Sequence, residues 1–392
     1  MKPLEGLRVI DLTQAMAAPY CTMNLADMGA DVIKVEPPGG EETRRGSVQQ
    51  NGHSGSFNAI NRNKRSLTVD LKQRDGVEIV HRLARTADVF VQNYRPGAAK
   101  RLGVAYEDLS ALNPRLIYCS ISGFGATGPY APRGGYDLIA QGMSGIISLT
   151  GEEGGAPAKA GVPLSDLAAG LFGAYGILSA LEYRERTGRG QLVDTSLLES
   201  AMALTVCAAT DYWLTGRTPT ALGSADPHAA PHQALRGSDG WFVVAVTDDA
   251  RFGALCRAIG RPDLAGDPRF ASGAQRLAHR QALAAEIERT TQKEPRGYWL
   301  GRLADEGVPS GPVSTYPEAL GDAHTLAREM VVDLVHAGAG PIKNLGVPVK
   351  LSDTPGAVDR PAPLLGEHTA EILAELGYDD AVRRRLRDAG VI

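Results

Sequence analysis

The sequence predicts an α/β protein in which a large domain, built on a Rossmann-like parallel sheet, is followed by a smaller α/β domain. Three observations carry this. Short apolar runs alternate with helical stretches from Leu7 to Asp194, the pattern of a parallel sheet with helices on its faces. The stretch TGRTPTALGSADPHAAP, Thr215–Pro231, is rich in turn formers and then gives way to a new strand. A chain of 392 residues, at about 150 residues per domain, leads to an expectation of two or three domains.

LRVIDL (7–12), a helical stretch over 17–28 and ADVIKVE (30–36) form a first βαβ unit. SLTVDL (66–71), a helix over 76–85 and ADVFVQN (87–93) form a second, and RLIYCSIS (115–122) adds a strand. From Asp166 to Arg184 the pattern is helical and rich in small residues, among them Ala168, Ala169, Gly170, Gly173 and Gly176, so something must approach this helix closely. QLVD (191–194) reads as a strand, and Ser196 with Glu199 forms a capping box for a helix running towards Trp213. Beyond the boundary, WFVVAV (241–246) is strand-like, and amphipathic helices are expected over 250–259, 274–290 and 295–306. Short strands, a Pro-rich stretch over 353–363 and a helical pair over 367–388 complete the chain.

Forty-one basic residues against 45 acidic ones give a net charge of −4, which argues against a nucleic-acid or membrane partner, since both reward a basic excess. There is no signal-peptide pattern at MKPLEGLRVIDL and no run of 18 uninterrupted apolar residues. A cytoplasmic protein is expected. Cys21, Cys119, Cys207 and Cys256 form no CxxC pair and are expected to be reduced and buried. Phosphate-loop, nucleophile-elbow and zinc signatures are absent, and the histidines do not cluster, so no metal site is expected.

GFGATG (123–128) matches GxGxxG after a strand, yet Pro129 and Pro132 follow where a helix would have to open, and no acidic residue stands about 20 positions on. A dehydrogenase is disfavoured. Basic side chains in NRNKRSL (61–67), with Thr43, Arg44, Lys72 and Arg101, lie in loops beside predicted strands. Such loops usually form a solvated surface, but they are also where an open sheet could hold an anion with several phosphates. Asp166 in GVPLSDLAAGLFGAYG is the carboxylate to single out. Taken alone, Ser165 or Asp166 as a helix cap is the favoured explanation. The alternative is an ionised carboxylate in the first helical turn, with small residues behind it admitting a ligand or a partner backbone.

LRVIDLTQAMAAPYCTMNLADMGADVIKVEPP, NRNKRSLTVDLK, VFVQNYRPG, SISGFGATGPYAPRGGYD, LSDLAAGLFGAYGILSAL, TGRGQLVDTSLLES, GVPSGPV and PLLGEHT occur in this order along the whole chain. Together they resemble the class III CoA-transferases, the CaiB/BaiF family. The resemblance implies a large domain of residues 1–215 completed by residues 326–392, a small domain of 216–325, and an interlocked homodimer. It implies CoA contacts at Met16, Ala17, Val69, Asp70, Leu71, Lys72, Asn93, Tyr94, Arg101, Tyr136 and Asp137, and it makes Asp166 the catalytic residue, which reverses the weighting above. The substrates would be a coenzyme A thioester and a small carboxylic acid, with no tightly bound cofactor.

A carboxylate nucleophile suits this chemistry, because an anhydride conserves the activation energy of a thioester. With a reference pKa near 3.9, Asp166 is expected to be ionised at neutral pH without a dedicated base. Oxyanion donors are expected among backbone N–H groups near Asp166 or in the loop 223–238. Where formyl-CoA transferases carry a glutamine, a basic residue and a glycine-rich lid, this chain has Met16, Pro37 and no such lid. Its segment PHQALRGSDGWFVVAV is more similar to the succinyl-CoA-dependent dicarboxylate branch. An α-methylacyl-CoA racemase is the rival enzyme, but Tyr136 stands where that reaction uses a histidine, and a phenol with pKa near 10 is a poor neutral-pH base. A non-catalytic acyl-CoA binder is the third possibility.

Overall fold

The six strands of the main sheet are β1 Arg8–Leu12, β2 Asp31–Glu36, β3 Arg65–Thr68, β4 Val89–Gln92, β5 Ile117–Ser122 and β6 Leu192–Ser196. All pair in parallel, in the order β3-β2-β1-β4-β5-β6. The computed structural model describes all 392 residues. This is the doubly wound Rossmann order, in which the direction of winding reverses between β1 and β4.

Neighbouring residues on a strand face opposite sides, so each strand feeds two cores. Ile10, Ile33, Leu67 and Phe90 point into one with Leu83, Leu109, Ile372 and Leu386. Val9, Val32, Val89 and Cys119 point into the other with Cys21, Leu25 and Ile177. Burial on both faces explains the near-continuous apolar runs in the sequence.

Helices α1 Ala17–Asp27, α2 Arg74–Thr86, α3 Asp137–Met143, α4 Leu164–Thr187, α5 Leu197–Ala203 and α6 Val206–Thr215 belong to the same unit. The predicted close approach to α4 is made by α1 and the sheet. A Cβ on Gly170 would lie 2.6 Å from the Ala17 carbonyl oxygen, and one on Gly173 would lie 2.7 Å from Ile121 Cδ1. The small residues therefore serve helix packing and not a ligand. By length and composition α4 could cross a membrane, but half of its most apolar window is buried, as in a core helix. The single helix expected from Ser196 to Trp213 is divided in two. At the break, Leu204 and Thr205 donate to carbonyls three residues back, and the Thr205 hydroxyl competes for the Met202 carbonyl at 2.8 Å. Cys207 is exposed on α6, against the expectation of buried thiols; the other three cysteines are buried.

Two compact units make up the chain: 1–147, 159–216 and 323–392 in the larger, and 148–158 with 217–322 in the smaller. Ser148–Ala158, which sequence pattern groups with the first 215 residues, folds with the smaller unit. The Gly223 N–H donates to the Gly151 carbonyl, and Glu153 pairs with Arg280. The smaller unit is a three-stranded antiparallel sheet of His232–Arg236, Trp241–Ala245 and Ser310–Pro312. Phe242, Leu255, Ile287 and Trp299 form its core. The C-terminal segment is stitched into the larger unit, where Arg65 pairs with Glu371 and Glu375, and Asp70 N–H donates to the Val391 carbonyl.

Candidate active site

At the carboxyl ends of β1 and β4, where the winding reverses, the larger unit has a cleft of about 800 Å³ including its open mouth. Open α/β sheets bind ligands at such switch points. Gln14 to Ala17 line it after β1, Asn93 to Pro96 after β4, Ile121 to Gly123 at the end of β5, and Arg133 to Tyr136, Asp166 and Leu197 complete the wall.

Gly123 of the GFGATG turn lines this wall. A Cβ on Gly123 would lie 2.6 Å from Gly135 Cα, so two glycines let the segment before α3 cross the end of β5. No helix opens within the motif; α3 starts at Asp137.

Asp166 lies in the first turn of α4 but does not cap it. The carboxylate that caps α4 belongs to Asp137, whose Oδ1 accepts the Ser165 N–H at 2.9 Å while Oδ2 accepts from Gln141 Nε2 at 2.7 Å. No protein group donates a hydrogen bond to the Asp166 carboxylate, which faces the cleft. Burial pushes it up to about 7, and the Asp137 charge adds to this. The expectation of full ionisation at neutral pH is corrected accordingly. Desolvation with no cation to offset it favours the neutral acid, and near pH 7 about half the carboxyls carry a proton.

Of the expected coenzyme contacts, Met16, Ala17, Asn93, Tyr94 and Tyr136 line the cleft with Asp166. Asn93 spends its side chain on the neighbouring turn, accepting from Gln14 N–H at 2.9 Å and donating to the Gln14 carbonyl at 2.7 Å. Asp137 stands behind the wall. Val69, Asp70, Leu71, Lys72 and Arg101 do not line the cleft. The first four follow β3, two strands from β1, with Val69 in the core and Asp70 Oδ1 accepting the Lys72 N–H at 3.0 Å. Arg101 is exposed at the end of the short helix Ala98–Arg101.

Four of the basic loop residues are committed to ion pairs within the fold. Arg44 pairs with Glu36, Arg62 with Asp27, Lys64 with Asp11 and Arg65 with Asp31. A cation taken out of water needs such a partner, and sequence spacing did not reveal the carboxylates waiting for them. By contrast, Arg95 and Arg133 at the cleft make no ion pair, and Arg133 lies 4.8 Å from the centre of the Tyr130 ring. Gln14, Ala15, Arg95 and Arg133 were not singled out by motif; the crossing glycines Gly123 and Gly135 were the available signal.

A succinate–glutarate CoA-transferase of Agrobacterium fabrum is 41% identical over 382 residues, spanning 95% of this chain and 96% of that protein. An acetyl-CoA:oxalate CoA-transferase of Acetobacter aceti is 41% identical and spans 97% of each. The crystal structure of a CaiB/BaiF family protein from Brucella suis superposes with a TM-score of 0.88 at 42% identity, covering 96% of this chain and 99% of that one. With the family model of CoA-transferase family III matching residues 4–369, this chain belongs to CoA-transferase family III and is an enzyme.

Proposed function

We propose that the protein moves CoA from an acyl-CoA donor, succinyl-CoA among the candidates, to a dicarboxylic acid acceptor, with Asp166 as the covalent relay. The observation that carries this is a partly buried carboxylate with no hydrogen-bond partner in a switch-point cleft. A raised pKa makes the ionised fraction a stronger nucleophile, while ionic partners would have blunted it.

Asp166 attacks the donor thioester carbonyl, giving a mixed anhydride and CoA thiolate. The thiolate attacks the aspartyl carbonyl, releasing the donor acid and leaving an aspartyl-CoA thioester. The acceptor carboxylate attacks that thioester, expelling thiolate again, and the thiolate attacks the acyl carbonyl of the second anhydride to regenerate Asp166. Each oxyanion needs donors. The first-turn N–H groups of α1 at Ala17 and Ala18 have no intrahelical acceptor, and Met16 offers no side-chain cap. Arg95 and Arg133, unpaired at the cleft, suit a second carboxylate or the coenzyme. The loop Val69 to Lys72 lies on the same carboxyl edge, two strand spacings or about 10 Å from β1, within reach of a long pantetheine-linked ligand.

A homodimer belongs to the same proposal. No residue of α6 is buried, and Trp213 and Leu214 are 76% and 80% exposed. Leu171, Tyr175 and Leu178 of α4 are exposed as well. Apolar area of this extent calls for a partner, and light scattering of the purified chain reads the mass directly.

Incubation with succinyl-CoA followed by hydroxylamine or borohydride should modify Asp166, and mass spectrometry of CoA esters formed from a panel of acids should reveal the acceptor. An unmodified Asp166 under turnover overturns the covalent relay. The racemase alternative has little to work with, as no histidine lines the cleft. Deuterium entering the α-position of a 2-methylacyl-CoA without CoA migration would restore it.

A further inference from the structure

The turn that leads from β1 into α1 forms one wall of the cleft, and its backbone is strained. Ala15 adopts φ +65, a left-handed conformation that a residue with a Cβ seldom takes. What holds it there is a pair of buried charges outside the cleft lining. Glu41 Oε2 accepts the Ala15 N–H at 2.9 Å, while Glu41 Oε1 pairs with Lys34 Nζ at 2.9 Å. Lys34 in turn donates to the Thr13 carbonyl at 2.9 Å. Lys34 is fully buried and Glu41 4% exposed. From the other side, Asn93 bonds both backbone groups of Gln14.

We infer that Glu41 is a positioning residue for transfer, acting through Lys34 and the Ala15 N–H to hold the strained turn so that Met16 and Ala17 present their backbone to the reacting carbonyl beside Asp166. This rests on the cleft being the transfer site. Both carboxylate oxygens face donors, so an amide cannot replace the group. Either orientation of a glutamine turns its NH2 towards Lys34 Nζ or towards the Ala15 N–H. A small shift of such a wall is enough to lower turnover strongly.

The test is a cycle of four chains: parent, Glu41→Gln, Ala15→Gly and the double variant. Glycine adopts the left-handed conformation without strain and needs no anchor. In the parent background Glu41→Gln should lower kcat about tenfold or more, with the folded fraction fixed by circular dichroism. In the Ala15→Gly background the same change should lower kcat less than about threefold. Calorimetric affinity for CoA thioester, read on all four chains, should show the same rescue in direction. Equal losses in both backgrounds, or no loss in Glu41→Gln, overturn the inference, because a purely structural role of Glu41 would lower stability in both alike. Should the parent transfer no CoA, the functional proposal fails, and the clamp is then decided by the four affinities alone.

Discussion

Asp11 and Asp166 lie in the same unit and share one ordinary pKa, yet the protein drives them apart. Asp11 is fully buried at the end of β1; burial raises it, but Lys64, then Lys34, outweigh that and hold it near 2. Its Oδ2 accepts from Lys64 Nζ at 2.8 Å and from the Thr22 hydroxyl at 2.6 Å. Asp166 is less buried and ends near 7, since nothing offsets its desolvation and Asp137 adds a like charge. Burial alone does not decide the state of a carboxylate; the count of donors facing it does. The first is a structural brace and the second is left available for bond making.

The largest effect should come from removing the available one. Asp166→Asn is expected to lower kcat by about a thousandfold or more while CoA-thioester binding persists, because the proposed covalent route has no substitute. Steady-state kinetics beside calorimetry checks this, and a variant retaining activity would dissolve the contrast. Next comes the brace. Asp11→Asn leaves the fully buried Lys64 side chain facing Asn61 and the Pro19 carbonyl without its counter-charge. A loss of about 3–5 kcal/mol in urea unfolding is expected.

A smaller effect sharpens why Asp166 is raised. With the acid form inert as a nucleophile, kcat/KM should fall tenfold per unit below pH 7, the limb reporting the free enzyme. Asp137→Asn removes the second cause and leaves the first, so the limb should move to lower pH by part of the shift. An unmoved limb would assign the whole rise to burial.

Much of this contrast was hidden in the one-dimensional pattern. The winding was legible, since strands buried on both faces give apolar runs such as RVIDL and DVIKVE. The small-residue stretch of α4 announced a close approach but not that α1 makes it. Asp166 could be singled out, whereas its freedom from hydrogen bonds could not, because its rival for the helix end, Asp137, lies 29 positions away in the sequence. The basic residues of NRNKRSL misled for the same reason: Asp11, Asp27 and Asp31, which consume them, are remote in sequence and adjacent in space. The role of Glu41 had no signal at all, as a strained alanine is recognised only from its backbone angle.

The smallest expected effect is also the one with an unusual sign. A carboxylate held below its ordinary value adds stability as pH rises; Asp166 is shifted the other way. Between its ordinary 3.8 and about 7 the folded chain binds more protons at this site than the unfolded chain, so stability declines across that interval as pH rises. Asparagine at this position keeps the size and removes the charge. Asp166→Asn should therefore match the parent at pH 4, where both are neutral in the fold, and exceed it at pH 8 by about 1–2 kcal/mol, after allowance for partial exposure. Paired urea titrations at the two pH values read the difference. An advantage of the same size at both would mean that shape rather than charge is responsible, and Asp166 would then lose its standing as the desolvated counterpart of Asp11.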